Sequence, residues 1–491
     1  MAKRKKDKCD AYCKNDSIIY PTEEEVKPIK RTSEELQKIE KSKKISTQEA
    51  GAYSVMDGFG LRYITPFALS VGATNFHIGL LNALPSLLGN LSQLFTLKAM
   101  EKYSRKSIVF WAVLLQALMW LFLLGAGSLY FVFNIHTQLP PYLIITIYTF
   151  LCFFGAFGGP AWGSWMKDLV SENRGDYFGR RARVAGIVSM ICLLIAGFIL
   201  DYFENTKIFI GFMIIFFIAF LGRTISAILT TRQWEPKFKS DNRYYFSLFD
   251  FIKRMWFNNF GKFTIYFSLV AMATAISGPF FAVYMLKNLG FSYTEFMFVT
   301  LSNAVATFIF IPAWGKFADR YGNLRVIKIN GILISIVPIL WIFTIFFSHQ
   351  QVFYYLLIIE IFSGLVWAGF NLAAGNFIYD AVTNQRLAIC ISYFNIIAGM
   401  GVVIGSFIGG IIASLKINPL GLDILLIIFI ISGILRFIIY LAMKSKIKEV
   451  RNVPEFKIRD AKNKLKQLSF YKFLEYFDIH LLRSRPFQQS S

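Results

Sequence analysis

Few side chains in this sequence combine reactive chemistry with a setting in which they can act on a solute. Asp57, Arg62 and Glu360 are ionisable residues inside long apolar stretches. A charge at the centre of a bilayer costs about 3 kcal/mol on insertion scales, so such groups face a cavity, a partner or a ligand. Arg62 would attract an anionic group, and Glu360 would carry a proton or bind a cationic group. Asp57 precedes Arg62 by five positions, about 140° around a continuous helix, so the two are expected on different faces. From Glu360 onward, Ser363/Gly364, Trp367, Asn371 and Ala374/Gly375 recur at helical spacing. This stripe of small and polar residues is expected to face a central cavity, with tight helix packing as its rival.

The residue types that break bonds are not arranged to do so. His77, His136, His349 and His480 are scattered, with no His-Glu-x-x-His pattern and no paired carboxylates. No catalytic residue, metal site or cofactor is assigned, and an enzyme is not expected. Cys9 and Cys13 form an isolated pair without a second pair, which does not make a zinc site. Cys152, Cys192 and Cys390 lie in apolar runs, as small hydrophobes. Gly315-Lys316 is followed by Phe317, so no phosphate-binding Gly-x4-Gly-Lys-Ser/Thr loop occurs, which disfavours a nucleotide-driven pump.

Hydropathy and charge define the elements that hold these groups. The chain has 491 residues, 55% of them hydrophobic and 17% charged, with a mean hydropathy of +0.50 and a net charge of +22. Charge and apolar character must therefore be segregated, as in a polytopic membrane protein and not in a nucleic-acid binder. Runs of about 20 apolar residues occur at about 50–72, 77–98, 108–131, 142–166, 178–200, 207–231, 262–287, 294–315, 326–348, 353–378, 388–414 and 421–444. With twelve crossings, Lys207, Lys287 and Lys416 fall in loops on one side, and Arg62, Arg223 and Arg436 fall within spans. The remainder of the 52 Lys and Arg residues lie on the other side. The positive-inside rule makes that side, with both termini, cytoplasmic, and the membrane is expected to be the cell membrane.

The resulting organisation is an extension of mixed charge (1–49), a six-helix bundle (50–231), a central loop (232–260), a second bundle (261–445) and a basic tail (446–491). The extension is expected to be a disordered tether. Trp234, Tyr244, Tyr245 and Phe246 suggest that part of the central loop lies along headgroups. Leu465, Leu468, Tyr471 and Leu474 recur at three-residue steps in the tail, consistent with an amphipathic helix on an anionic leaflet or with a solvated basic tail.

The two bundles repeat one another. Asp168-Leu-Val-Ser-Glu-Asn-Arg174 matches Asp380-Ala-Val-Thr-Asn-Gln-Arg386, Lys98-Ala-Met-Glu-Lys-Tyr103 matches Lys316-Phe-Ala-Asp-Arg-Tyr321, and Arg223 matches Arg436, at nearly one offset. Trp314-Gly315-Lys-Phe-Ala-Asp319-Arg320-Tyr-Gly322-Asn-Leu-Arg325 resembles the GxxxDRxGxR/K loop signature of the major facilitator superfamily. The resemblance spans about 50–445. The first-half copy is degenerate, with Leu97, Glu101 and Ser104 at the first glycine, the aspartate and the second glycine. The family's fourth-span arginine and fifth-span Gly-Pro motifs have no counterpart, which disfavours proton coupling of that type and drug export.

The resemblance implies that these loops lock the two halves together on the cytoplasmic side when the outside is open. Glu101, Asp168, Arg174, Gly315, Asp319, Arg320, Asp380 and Arg386 are assigned to this gate, and Arg223 and Arg436 are expected to pair with its carboxylates. The reading is an all-α protein of twelve transmembrane helices in two pseudo-symmetric bundles. It is expected to be a secondary transporter that moves a small solute by alternating access, as a monomer in the lipid bilayer. A proton or cation would supply coupling, and Asp57, Arg62, Glu360, Trp367 and Asn371 would contact the solute or the coupling ion. The rival is a non-transporting membrane receptor or scaffold with partner-binding tails.

Overall fold

The computed structural model describes residues 32–170, 174–236, 247–382, 386–415, 421–451 and 453. Cys9, Cys13, Tyr244, Tyr245, Phe246 and the periodic apolar residues of the tail lie outside them.

Helix α1 (Ser33–Phe59) starts at a reciprocal cap, in which Thr32 Oγ1 accepts from the Glu35 amide and Glu35 accepts from the Thr32 amide. Residues 33–49, expected in the disordered tether, are therefore helical. Their polar side chains find protein partners in place of water. Ser42 accepts from the Trp234 amide at 2.8 Å, Ser46 reaches Met166 Sδ, and Ile39 and Glu49 are buried. Helix α1 stops at Gly60, where any Cβ would enter the Trp120 ring. A 3-10 turn (Leu61–Tyr63) then leads into α2 (Ile64–Ser70).

The first half continues with α3 (Asn75–Ala99), α4 (Arg105–Phe131), α5 (Leu139–Leu169), α6 (Tyr177–Glu204) and α7 (Lys207–Thr231). Non-helical backbone at Lys207 (φ −149°, ψ 71°) separates the last two. A short helix, α8 (Leu248–Arg254), precedes the second half. That half comprises α9 (Asn259–Ser277), extended by short turns to Asn288, then α10 (Tyr293–Tyr321) and α11 (Asn323–Leu340). It ends with α12 (His349–Ala381), α13 (Leu387–Ala413) and α14 (Ile424–Met443).

Among the described residues, ten helices are long and apolar enough to cross a membrane by length and composition. The α1–α2 pair and α3 complete the twelve crossings. Helix α3 is more polar because part of its surface faces protein. Asn82 donates to Ser406 Oγ at 2.5 Å and Asn75 to the Ala413 carbonyl at 2.8 Å.

The halves meet unevenly. At the Lys/Arg-rich end each half has its own core, built on Ile39, Ile108, Trp165 and Leu169 in the first and on Phe263, Phe370, Phe377 and Phe394 in the second. Toward the opposite end one core spans both halves, joining Phe67, Trp120, Phe212 and Phe216 to Phe280, Tyr284, Phe296 and Phe429. Four hydrogen bonds between described residues of the two halves lie on that side as well. Lys287 donates to the Ala73 carbonyl and the Thr294 amide to Asp201, alongside the two bonds from α3.

Two seams carry the contact. On one, Gly79 of α3 lies against α13, and a Cβ there would approach Gly410 Cα to 2.7 Å and the Ser406 carbonyl to 2.8 Å. On the other, Gly197 of α6 lies against Met297 of α10. Gly79→Val is therefore expected to overpack the first seam and destabilise the molecule by about 1–3 kcal/mol. A thermal melt of the purified variant checks this, and an unchanged midpoint contradicts the seam.

Candidate functional site

The interruption of α1 decides where its two charges go. On an unbroken helix Asp57 and Arg62 would diverge. The turn after Gly60 instead brings Arg62 Nη2 to 3.7 Å from Asp57 Oδ2, which corrects the expectation of separate faces. Asp57 also accepts a 2.6 Å hydrogen bond from Ser189 Oγ on α6, so its carboxylate is held from two sides. The Arg62 side chain remains 47% exposed, against 22% for Asp57, and its guanidinium keeps donor capacity for another group.

In the second half, Glu360 of α12 faces α10. Its Oε2 accepts from Asn303 Nδ2 at 2.8 Å, and the same amide nitrogen lies 3.1 Å from Ser363 Oγ. The stripe that begins at Glu360 divides by function. Gly364 seats against the Asn303 carbonyl and Ala374 lies in the core, so the small residues pack. Trp367 instead lines a cavity of about 350 Å³ with Asn82, Phe267, Phe370 and Val402, and Asn371 is exposed.

At the Lys/Arg-rich end each half neutralises its own loop charges. Arg105, at the start of α4 and 1% exposed, bonds Asp168 at 2.6 Å and Glu235 at 3.1 Å. Glu235 also caps α4, accepting from the Arg105 amide at 3.0 Å and the Lys106 amide at 3.2 Å, where a helix N-terminus favours negative charge. The second half repeats the plan with a substitution. Glu449 caps α11 through the Leu324 amide at 2.8 Å, while Asn323 occupies the place of Arg105 and donates to Asp380 at 2.7 Å.

The missing guanidinium comes from the segment after α14. Arg451 Nε donates to Asp380 at 2.8 Å, and Nη1 lies 3.5 Å from Asp319. Burial alone would lower the Arg451 pKa, but Asp380 and Asp319 outweigh it and hold the pKa above its ordinary value. Asp168, Asp319 and Asp380 thus pair within their own halves in this state. Arg320 lies over the Tyr321 ring, Gly315 lies beside Leu372, Glu101 is exposed and Arg386 is the N-cap of α13. The Arg174 side chain lies outside the described residues.

Arg223 and Arg436 do not pair with the gate carboxylates. Both are buried among helices of their own half. Arg223 donates to Gln116 Oε1 at 2.7 Å and to Ser226 Oγ at 3.0 Å, and lies 3.8 Å from Glu49 Oε1 and over the Tyr53 ring. Arg181, stacked over Trp162, holds the other oxygen of Glu49 at 2.7 Å. Arg436 bonds the Ile334 carbonyl at 3.0 Å and Ser277 Oγ at 2.9 Å.

Sequence reasoning missed Glu49, Ser189, Asn303, Glu235, Glu449 and Arg451. The pair Glu235 and Glu449 carried a usable signal, because it recurs at the offset of the other repeats.

Two six-helix halves, joined at one end and carrying polar groups within their spans, define a polytopic solute transporter. A family model described as Major Facilitator Superfamily matches residues 51–270 and 263–486. The chain belongs to that superfamily and is a secondary transporter with a small-molecule substrate. No curated protein matches its sequence.

Solved structures of similar fold include the nucleoside transporter NupG, with TM-score 0.62, 13% identity and coverage of 83% of this chain and 99% of that one. A bacterial homologue of the iron transporter ferroportin in an inward-facing state has TM-score 0.63 and 12% identity, covering 84% and 100%. A bacterial homologue of the human lysosomal transporter Spinster, also inward-facing, has TM-score 0.56 and 14% identity, covering 83% and 96%.

Removing one partner from a buried charge network is costly because the remaining charge is stranded. Glu49→Gln is expected to destabilise the first half by about 3 kcal/mol, measured as a drop in thermal midpoint. A midpoint equal to that of the unaltered protein would show that Arg181 and Arg223 do not depend on this carboxylate.

Proposed function

We propose that this protein carries a small organic solute across the cytoplasmic membrane, with the Lys/Arg-rich end and both termini on the cytoplasmic side. On this reading the structure is the inward-open state. The carrying observation is that the core is shared by both halves toward one end and divided at the other. A solute-sized path can then lie between the halves from the cytoplasmic side to the level of Arg62 and Glu360.

The solute we infer has an anionic group and an apolar body. Arg62 has spare donors, and its partner Asp57 is already held by Ser189, which favours an added anion over a metal cation. Phe267, Trp367 and Phe370 supply an aromatic wall for the body, within a cavity near the low end of the usual range for small-molecule sites. Glu360, held at one oxygen by Asn303, is the group proposed to take up the coupling proton. A single chain contains both halves, so a monomer suffices. The solutes named for the similar folds differ from one another, and none is transferred to this chain.

In proteoliposomes supplied with mixed organic anions, Arg62→Gln should lower uptake at least tenfold. Glu360→Gln should abolish accumulation driven by a pH gradient while sparing exchange. Unchanged transport in both variants would remove these residues from the mechanism. The orientation has its own check on a cysteine-free background in intact cells. Phe133→Cys should react with a membrane-impermeant maleimide and Tyr103→Cys should not; the reverse pattern would invert the topology.

A further inference from the structure

Of the four aromatic residues that suggest a headgroup contact for the central loop, Trp234 is described, and the structure turns it inward. Its carbonyl accepts from Trp165 Nε1 at 3.0 Å, and its side chain packs on the first half's core. A different set of aromatic residues is left outside. Phe249, Ile252, Trp256 and Phe257 are 64%, 40%, 59% and 82% exposed. With Lys253 they follow the i, i+3, i+4, i+7, i+8 spacing of one helical face, on α8 and the turn after it. The opposite face is anchored. Phe251 is buried, with its ring 5.9 Å from that of Phe260 on α9 and 5.7 Å from that of Tyr393 on α13. An exposed apolar face held rigidly on a polar loop is a contact surface and not a folding accident.

Charge selects the partner. Lys253 Nζ lies 4.3 Å over the Phe249 ring, and Arg254 follows it. The Arg254 carbonyl accepts from Asn258, and the next residue, Asn259, exchanges two hydrogen bonds with Lys448 beyond α14. These backbone bonds bring the segment of Lys253 and Arg254 beside that of Lys448, and all three basic residues are exposed. Of the nearby carboxylates, Glu449 caps α11, and Asp250 accepts from Ser247 at the start of α8 and offsets part of the charge of Lys253 and Arg254. Aromatic rings favour the membrane–water interface, and adjacent Lys and Arg attract anionic lipids.

We propose that α8 and its following turn form an interfacial foot. Phe249, Ile252, Trp256 and Phe257 enter the headgroup layer, and Lys253, Arg254 and Lys448 bind anionic phospholipid headgroups. The proposal rests on the orientation given above, with the Lys/Arg-rich end at the cytoplasmic leaflet. Because Phe251 ties the foot to α9 and α13, it fixes the second half at the bilayer surface while the first half moves.

The test uses the full chain in phosphatidylcholine vesicles containing bromine-labelled phosphatidylglycerol or bromine-labelled phosphatidylcholine. Tryptophan emission should be quenched more strongly by the anionic lipid, and Trp256→Phe should remove that preference. Lys253→Gln with Arg254→Gln should lower selectivity for the anionic lipid by about thirtyfold, at roughly 1 kcal/mol for each of the two basic residues near a charged surface. Equal quenching by both lipids, or a preference that survives these substitutions, would overturn the proposal. So would quenching of Trp256 that appears only after residues 454–491 are deleted, because the tail would then be the occupant of this face. Quenching reads contact and not transport, and the maleimide pattern reads orientation, so failure of the foot is distinguishable from failure of the transport reading.

Discussion

The backbones of α3 and α13 come close enough at Gly79 and Gly410 that no side chain fits between them, and the rest of the molecule is arranged around that contact. Around it the aromatic core of each half merges into one, so that Phe212 meets Tyr293 and Tyr63 meets Phe296 across the division. Interiors packed this tightly are bistable and not continuously deformable. A joint confined to one side of the molecule leaves the other free to part, and the separate cores at the Lys/Arg-rich end are what parting requires. Each is built almost wholly from its own half, with Leu94 of α3 packed against the second, so separation exposes little apolar surface.

Charge follows the same rule of self-sufficiency. Arg105 with Asp168 and Glu235, and Arg451 with Asp380 and Asp319, satisfy the loops of each half internally. The halves solve the problem with different residues at equivalent places. One takes its guanidinium from the start of α4, and the other borrows it from the segment following α14. The buried arginines differ as well, since Arg223 has Glu49 nearby, while Arg436 bonds the Ile334 carbonyl and the Ser277 hydroxyl. The pseudo-symmetry is therefore one of position more than of chemistry.

Much of the architecture was legible in the sequence because lipid imposes a simple code. Apolar runs of spanning length and the one-sided distribution of Lys and Arg give the twelve crossings directly, and the repeated loop segments give the two halves. Legibility failed where protein replaced solvent as the partner. Residues 33–49 read as a solvated tether because the burial of Ile39 and Glu49 depends on α5, α6 and α7, which are distant in sequence. The angular argument that separated Asp57 from Arg62 assumed an unbroken helix. What interrupts it is the Trp120 ring beside Gly60, a contact that no local pattern reveals. Glu360 was identifiable as a charge needing a partner, but its partner, Asn303, lies on another helix and was not.

The central claim is that the closed and open ends exchange during transport. Paired spin labels in lipid nanodiscs test it directly, with Tyr103 and Tyr379 marking the Lys/Arg-rich end and Tyr202 and Phe346 the opposite end, all four exposed. On a shift from neutral to acidic pH, the account predicts reciprocal changes, with the first distance shortening in the population where the second lengthens. Distances that stay fixed at both ends, or that lengthen together, would contradict it.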